Sequence, residues 1–246
     1  METYLNLLDV FTLRPNRFRL LDKGINLITN GNHNKSYIIE VGCAYGDGSA
    51  YLVKEYNCQT EGIDISENII AKARDRHKDL ISQGRLRFEV GNAESLSYKN
   101  ESIDLLFSEA AFSPIINKEN AVSEYYRVLK KGGFLLINDF ATKIPVHAKN
   151  RRDIYYIPCF QGVNTIEYYA DIFIKNNFHI VSAKEEFGEL LGISMWVRKF
   201  YNIDISEIGT YLSRFYNYNR LESNYTKKEK SFEDVKLTYC QIILKK

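Results

Sequence analysis

From Tyr37 onward, short apolar runs alternate with longer amphipathic stretches. YIIEV (37–41) is short, rich in β-formers and ends at a glycine, as a buried strand does. GSAYLVKEY (48–56) then reads as a helix and QTEGIDI (59–65) as a second strand. In SENIIAKARDRHKDLISQG (66–84), Ile69, Ile70, Ala73 and Leu80 recur near helical spacing. Ser66 opens that helix as an N-cap, and Gly84 closes it as a C-cap. RLRFEV (85–90) and SIDLLFSEA (102–110) predict strands three and four, KENAVSEYYRVLKKG (118–132) a helix, and GFLLINDF (133–140) strand five. Further on, NTIEYYADIFIKNNF (164–178) predicts a helix and HIVSAKEE (179–186) a strand. ELLGISMWVRKFY (189–201) and ISEIGTYLSRFYNY (205–218) predict two helices, and VKLTYCQIILKK (235–246) a closing strand.

Strands that alternate with helices pair in parallel, and their crossovers are right-handed. The expected architecture is therefore a doubly wound, three-layer αβα sandwich in one domain, residues 1–246. Three segments stand outside the regular alternation: 1–36, expected to form an N-terminal helical cap; 141–164, a substrate-side insertion; and 187–230, a helical insertion before the last strand. Composition changes this picture little. The chain is 45% hydrophobic and 26% charged, with a net charge of +2, which points neither to nucleic acid nor to a membrane surface. Eighteen tyrosines stand out, and compositional bias explains them as readily as an aromatic pocket does. The four cysteines, Cys43, Cys58, Cys159 and Cys240, show no paired spacing, so no metal site is expected and free thiols in a reducing compartment are. The first residues, METYLNLLDVF, lack the form of a secretory signal. No run approaches the roughly 18–20 apolar residues of a membrane span, so a cytoplasmic protein is expected.

Directly behind the first strand, IIEVGCAYGDGSAY (38–51) clears away its side chains. Glycines between a strand and a helix permit a tight turn and let a ligand approach main chain at a helix N-terminus. The second strand ends in Asp64, about 20 residues on, where an acid can take both ribose hydroxyls. That pairing serves a nicotinamide or a nucleoside cofactor equally, whereas the glycine spacing separates them. A dinucleotide site calls for G-x-G-x-x-G; here the pattern is Glu40-x-Gly42-x-Ala44-x-Gly46.

This pattern resembles the first motif, E/D-x-G-x-G-x-G, of the class I S-adenosylmethionine-dependent methyltransferases. Four further stretches agree in order over 37–140: GIDIS (62–66), GNAESL (91–96), SIDLLFSEAAF (102–112) and YYRVLKKGGFLLIND (125–139). The resemblance implies a Rossmann-like, seven-stranded, mostly parallel sheet with an antiparallel last strand, and S-adenosyl-L-methionine as cofactor. It places Glu40, Gly42, Cys43, Ala44 and Gly46 around the methionine end of that cofactor. By the same resemblance Asp64 holds the ribose, Ile65 packs on the adenine, and Asn92, Ala93 and Glu94 form the segment that meets the adenine edge and face. Ser108 and Glu109 line the floor between cofactor and acceptor. Ala44 departs from the usual middle glycine and Asn92 from the commoner aspartate, though an amide still pairs with the adenine amino group.

Methyl transfer from a sulfonium needs orientation above all, so the fold dictates no catalytic residue. Candidate bases are His147, Glu109 and Asp139, with an exposed loop histidine the plainer reading of His147. The expected acceptor is a small molecule, and Tyr155, Tyr156, Cys159 and Phe160 are the residues expected to contact it. The stretch LRPNRFRLL (13–21) resembles the opening of some small-molecule methyltransferases. Its Arg14, Arg17 and Arg19 suit an anionic substrate, but a solvated face is the plainer reading. Two other readings stay open: a nucleic-acid or protein methyltransferase, and a non-catalytic cofactor-binding interaction domain. SEAAF stands where amino-nitrogen methyltransferases of nucleic acids carry N/D-P-P-Y/F, which counts against nucleic acid as partner.

Overall fold

In the computed structural model, which describes residues 12–29, 36–147, 160–201 and 234–246, the apolar runs become seven strands. They are β1 (Tyr37–Val41), β2 (Gln59–Asp64), β3 (Leu86–Val90), β4 (Ile103–Glu109), β5 (Leu129–Thr142), β6 (His179–Glu185) and β7 (Leu237–Lys245). Between them run α1 (Arg19–Thr29), α2 (Asp47–Tyr56), α3 (Glu67–Arg76), α4 (Lys78–Ser82), α5 (Lys118–Val128), α6 (Ile166–Lys175) and α7 (Phe187–Tyr201). The strands form one sheet ordered β3-β2-β1-β4-β5-β7-β6. β7 is antiparallel to both its neighbours, and the pairs from β3 to β5 are parallel.

Successive side chains on a strand point to opposite faces, and the two cores follow that period. Ile38, Leu105, Phe107, Leu136 and Ile243 are buried on one face with Leu21 and Ile25 of α1 and Leu52 of α2. Their neighbours Ile39, Leu106, Ile137, Ile242 and Leu244 are buried on the other with Tyr125 of α5 and Phe173 of α6. α1 lies flat on the sheet: a Cβ on Gly24 would stand 2.7 Å from Leu136, and Gln241 donates to the Leu20 carbonyl at 2.8 Å.

Two boundaries differ from expectation. The helix expected over 66–84 breaks at His77 into α3 and α4. The helix expected over 118–132 stops at Val128, because Leu129 already pairs with Ile103 of β4 and Gly132 donates to the carbonyl of Lys246. Lys130 and Lys131 are therefore strand residues. The stretch 205–218 lies outside the described residues. Strand order reverses between β1 and β4, so the crevice at their carboxyl ends is where such a sheet binds ligands.

Candidate functional site

The turn after β1 is built from backbone bonds to its neighbour strand. Gly42 and Cys43 both donate to the Ile63 carbonyl, at 2.8 and 2.9 Å. Gly42 and Gly46 adopt left-handed φ values of 74° and 75°, and Ala44 between them takes 49°, a conformation that costs a residue with a Cβ. The glycines also serve internal packing. A Cβ on Gly42 would fall 2.3 Å from that of Ala111, and one on Gly46 would fall 2.1 Å from Phe88.

Glu40 is buried, and one of its oxygens accepts from the amide and hydroxyl of Ser49 at 2.7 and 2.5 Å. α2 has only Gly46 at its N-cap and no side-chain cap there. The carboxylate of a neighbouring strand thus serves the helix start, where negative charge is favoured. Burial nonetheless pushes the Glu40 carboxyl up to about 8, against the lowering pull of Ser49.

Asp64 ends β2 and bridges two loops, accepting from the amide of Ala44 at 3.1 Å and from that of Ser66 at 3.0 Å. Beside it Ile65 is 74% exposed, an apolar surface at the mouth of the crevice. Asn92 turns its own loop by accepting from Glu94 N at 2.9 Å, Ala93 is partly exposed, and Glu94 accepts from Asn117 N at 3.1 Å. Ser108, on β4, is buried, and its hydroxyl makes no hydrogen bond among the described residues. Cys43 is buried and unpaired, and burial raises its thiol pKa well above the usual range.

Of the three arginines expected on a solvated face, Arg19 is exposed, whereas Arg14 and Arg17 are largely covered. Arg14 is almost fully buried, ion-paired to Glu189 of α7 and 3.7 Å from Glu109 at the end of β4. Arg17 binds Asp47 at the start of α2 at 3.0 Å, and Arg19 pairs with Glu189 at 2.8 Å. Residues 14–17 are thereby tied to the start of α2, the end of β4 and α7. Burial raises the Glu109 carboxyl while Arg17 and Arg14 oppose it. Sequence reasoning missed this network, although three arginines beside Pro15 carried the signal.

Asp139 is fully buried and accepts from Phe112 N, Ser113 N, Ser113 Oγ and Phe140 N at 2.6–2.9 Å. It pins the loop after β4 and is shut off from a substrate, with burial pushing it up to about 6. His147 is exposed beyond β5. Phe160 is buried edge-on against Phe140, while Tyr155, Tyr156 and Cys159 lie outside the described residues. Among the described residues no group of His, Cys, Asp and Glu could hold a metal ion, and no helix is long and apolar enough to cross a membrane.

The strand order, the antiparallel β7 and the acid-ended second strand define a class I methyltransferase fold. Residues 39–137 match the family model described as Methyltransferase domain. A phosphoethanolamine N-methyltransferase of Plasmodium falciparum is 27% identical over 155 residues, 62% of this chain and 57% of its own length. An uncharacterized protein of Haemophilus influenzae is 35% identical over 116 residues, 46% of each chain. The chain thus spans about half the length of these relatives. Among solved structures, phosphoethanolamine N-methyltransferase 2 of Haemonchus contortus, in complex with S-adenosyl-L-methionine, superposes with a TM-score of 0.73. It is 20% identical and aligned over 95% of this chain and 54% of its own.

Proposed function

We propose that this chain is an S-adenosylmethionine-dependent methyltransferase with a small-molecule acceptor. The observation that carries the reading is the corner at the ends of β1 and β2. There the Asp64 carboxylate is held by two loop amides beside the exposed Ile65. That corner fits a nucleoside: the carboxylate suits ribose hydroxyls, and the apolar surface suits an adenine face. The unpartnered Ser108 hydroxyl at the crevice floor fits a polar ligand above it.

When bound, the cofactor supplies an electrophilic methyl carbon on sulfur for in-line attack by the acceptor. This chain's residues supply position and exclude water. The Arg14–Glu189 and Arg17–Asp47 pairs hold residues 14–17 beside Glu109 and the start of α2. Glu109 is the base candidate on the crevice floor, because burial raises its affinity for a proton and it sits at the end of β4. His147 is the alternative proton acceptor from the loop after β5. Tyr155, Tyr156, Cys159 and Phe160 remain our assignment for the acceptor side. The relatives named for phosphoethanolamine make small amines the first acceptors to try. Buried unpaired thiols at Cys43, Cys58 and Cys240 fit a cytoplasmic setting.

The test is incubation with methyl-labelled S-adenosylmethionine and a panel of small amines, phosphate esters and carboxylic acids, followed by mass spectrometry. Labelled product from at least one acceptor, with equimolar S-adenosylhomocysteine, is expected. Cofactor binding without transfer to any member would replace this reading with a non-catalytic one.

A further inference from the structure

On the α5 and α6 side of the sheet, the loops after β4 and β5 border an open cavity of about 570 Å³. Its wall is mixed: Ile115, Ile116 and Ile172 are apolar, Asn117, Gln161 and Asn164 are polar, and Glu119, exposed at the rim, is the one acid among them. Lys118 also lines it, although its side chain is only 7% exposed. The ammonium donates to the carbonyls of Ser113 at 2.7 Å and Ile115 at 2.8 Å, which uses two of its three protons. No carboxylate forms an ion pair with it among the described residues. The acids whose charge it feels are Asp139 and Glu94. Asp139 is saturated by four donors, and Glu94 is taken up by the Asn117 amide.

A buried cation with no carboxylate in contact is costly. It is also out of place in the first turn of α5, where the helix dipole favours acids. Stapling two carbonyls needs only a neutral donor; inside the protein the charge meets the face of Phe112, with Nζ 5.8 Å from the ring centroid. The neighbouring backbone is shaped around the ammonium. Gly162 has a φ of 79°, and a Cβ there would lie 2.8 Å from Nζ. Burial lowers the Lys118 pKa to about 8, against the pull of Asp139 and Glu94, so the amine still carries its proton at neutral pH.

We propose that this cavity is an oxyanion site, in which Lys118 pairs with the phosphate or carboxylate group of a small molecule. The apolar wall of Ile115, Ile116 and Ile172 takes the body of that molecule, and Asn117, Gln161 and Asn164 offer side-chain amides to the remaining oxygens. The pocket lies on the same edge of the sheet as the cofactor crevice, with Asn117 N donating to Glu94 at 3.1 Å, and the binding proposed here does not depend on methyl transfer.

The test titrates inorganic phosphate, and separately acetate, into the full chain by calorimetry at neutral pH, with S-adenosylhomocysteine titrated in parallel. One anion per chain is expected to bind, with a dissociation constant below about 1 mM. Phosphate binding alone assigns a phosphoryl ligand and acetate binding alone a carboxylate; binding of neither overturns the site. Lys118→Gln keeps a donor for the two carbonyls and should weaken the anion by about tenfold or more, leaving S-adenosylhomocysteine affinity within about twofold. Unchanged anion affinity in that variant would also overturn the assignment. In the wild-type chain, independently of any variant, saturating anion should slow acylation of Lys118 severalfold by mass spectrometry. Equal rates with and without anion would overturn it. Failure of S-adenosylhomocysteine to bind would count against the proposed function and leave the anion site standing.

Discussion

Ala44 holds a backbone conformation at odds with its side chain. Its φ of 49° costs about 1–2 kcal/mol for a residue with a Cβ, and glycine there would give back roughly 0.5–1 kcal/mol through the unfolded chain. Ala44→Gly should therefore be slightly stabilising, by less than about 1 kcal/mol. Gly46→Ala, by contrast, meets both a φ of 75° and Phe88 at 2.1 Å, and should cost about 2–5 kcal/mol. Urea melts of the two variants check both signs. Glu40 makes a pH-dependent prediction. Its folded pKa of about 8 lies above the unfolded value of about 4.3. The folded state therefore binds more protons between these values, and this group's contribution to stability falls as pH rises from about 4.3 to 8, then levels off. The difference in thermal midpoint between wild type and Glu40→Gln should move against the wild type over that window; parallel curves would refute the buried-carboxyl account. The position of Glu40 was legible from Glu-x-Gly after a strand, but its role was not. That role depends on a helix with no side-chain cap of its own and on a hydrogen bond from Ser49, nine residues along the chain. Lys118 escaped notice for a related reason: only the cavity distinguishes it from a solvated first-turn lysine.

The elements hold together through charges as well as through the sheet. α7 is tied to residues 14–19 by Glu189, which pairs with Arg14 and Arg19, and Glu186, just before α7, pairs with Lys23 of α1. Removing one partner of a buried pair leaves the other uncompensated. Because Arg19 remains beside Glu189, Arg14→Ala should cost roughly 2–3 kcal/mol. It should also speed hydrogen exchange in α7 more than in β1 or β4, and an even increase across the chain would argue against a local strap. Strand and helix types were readable from apolar spacing because Ile38 and Ile39, or Leu105 and Leu106, must face opposite cores. The start of β5 was not readable. Its first residues are fixed by pairing with Ile103 and by the carbonyl of Lys246, more than a hundred residues further along the chain. The break at His77 is equally non-local, since its ring reaches Asp47 at 3.1 Å and Tyr45 O at 3.0 Å.

For the whole molecule, alternation along the chain was enough to anticipate a three-layer sandwich. The antiparallel β7 between β5 and β6 came from resemblance to the family, because a strand's direction leaves no mark in its own apolar pattern. The fold hosts many chemistries, so function rests on the corner where Asp64 joins the turns after β1 and β2. Calorimetric titration with S-adenosylmethionine, with NADH as control, tests that corner most directly. The account predicts one S-adenosylmethionine per chain with micromolar affinity and no NADH binding. It further predicts affinity weakened about 10- to 100-fold in a folded Asp64→Ala variant. Binding of NADH, or S-adenosylmethionine affinity unchanged by loss of the Asp64 carboxylate, would contradict it.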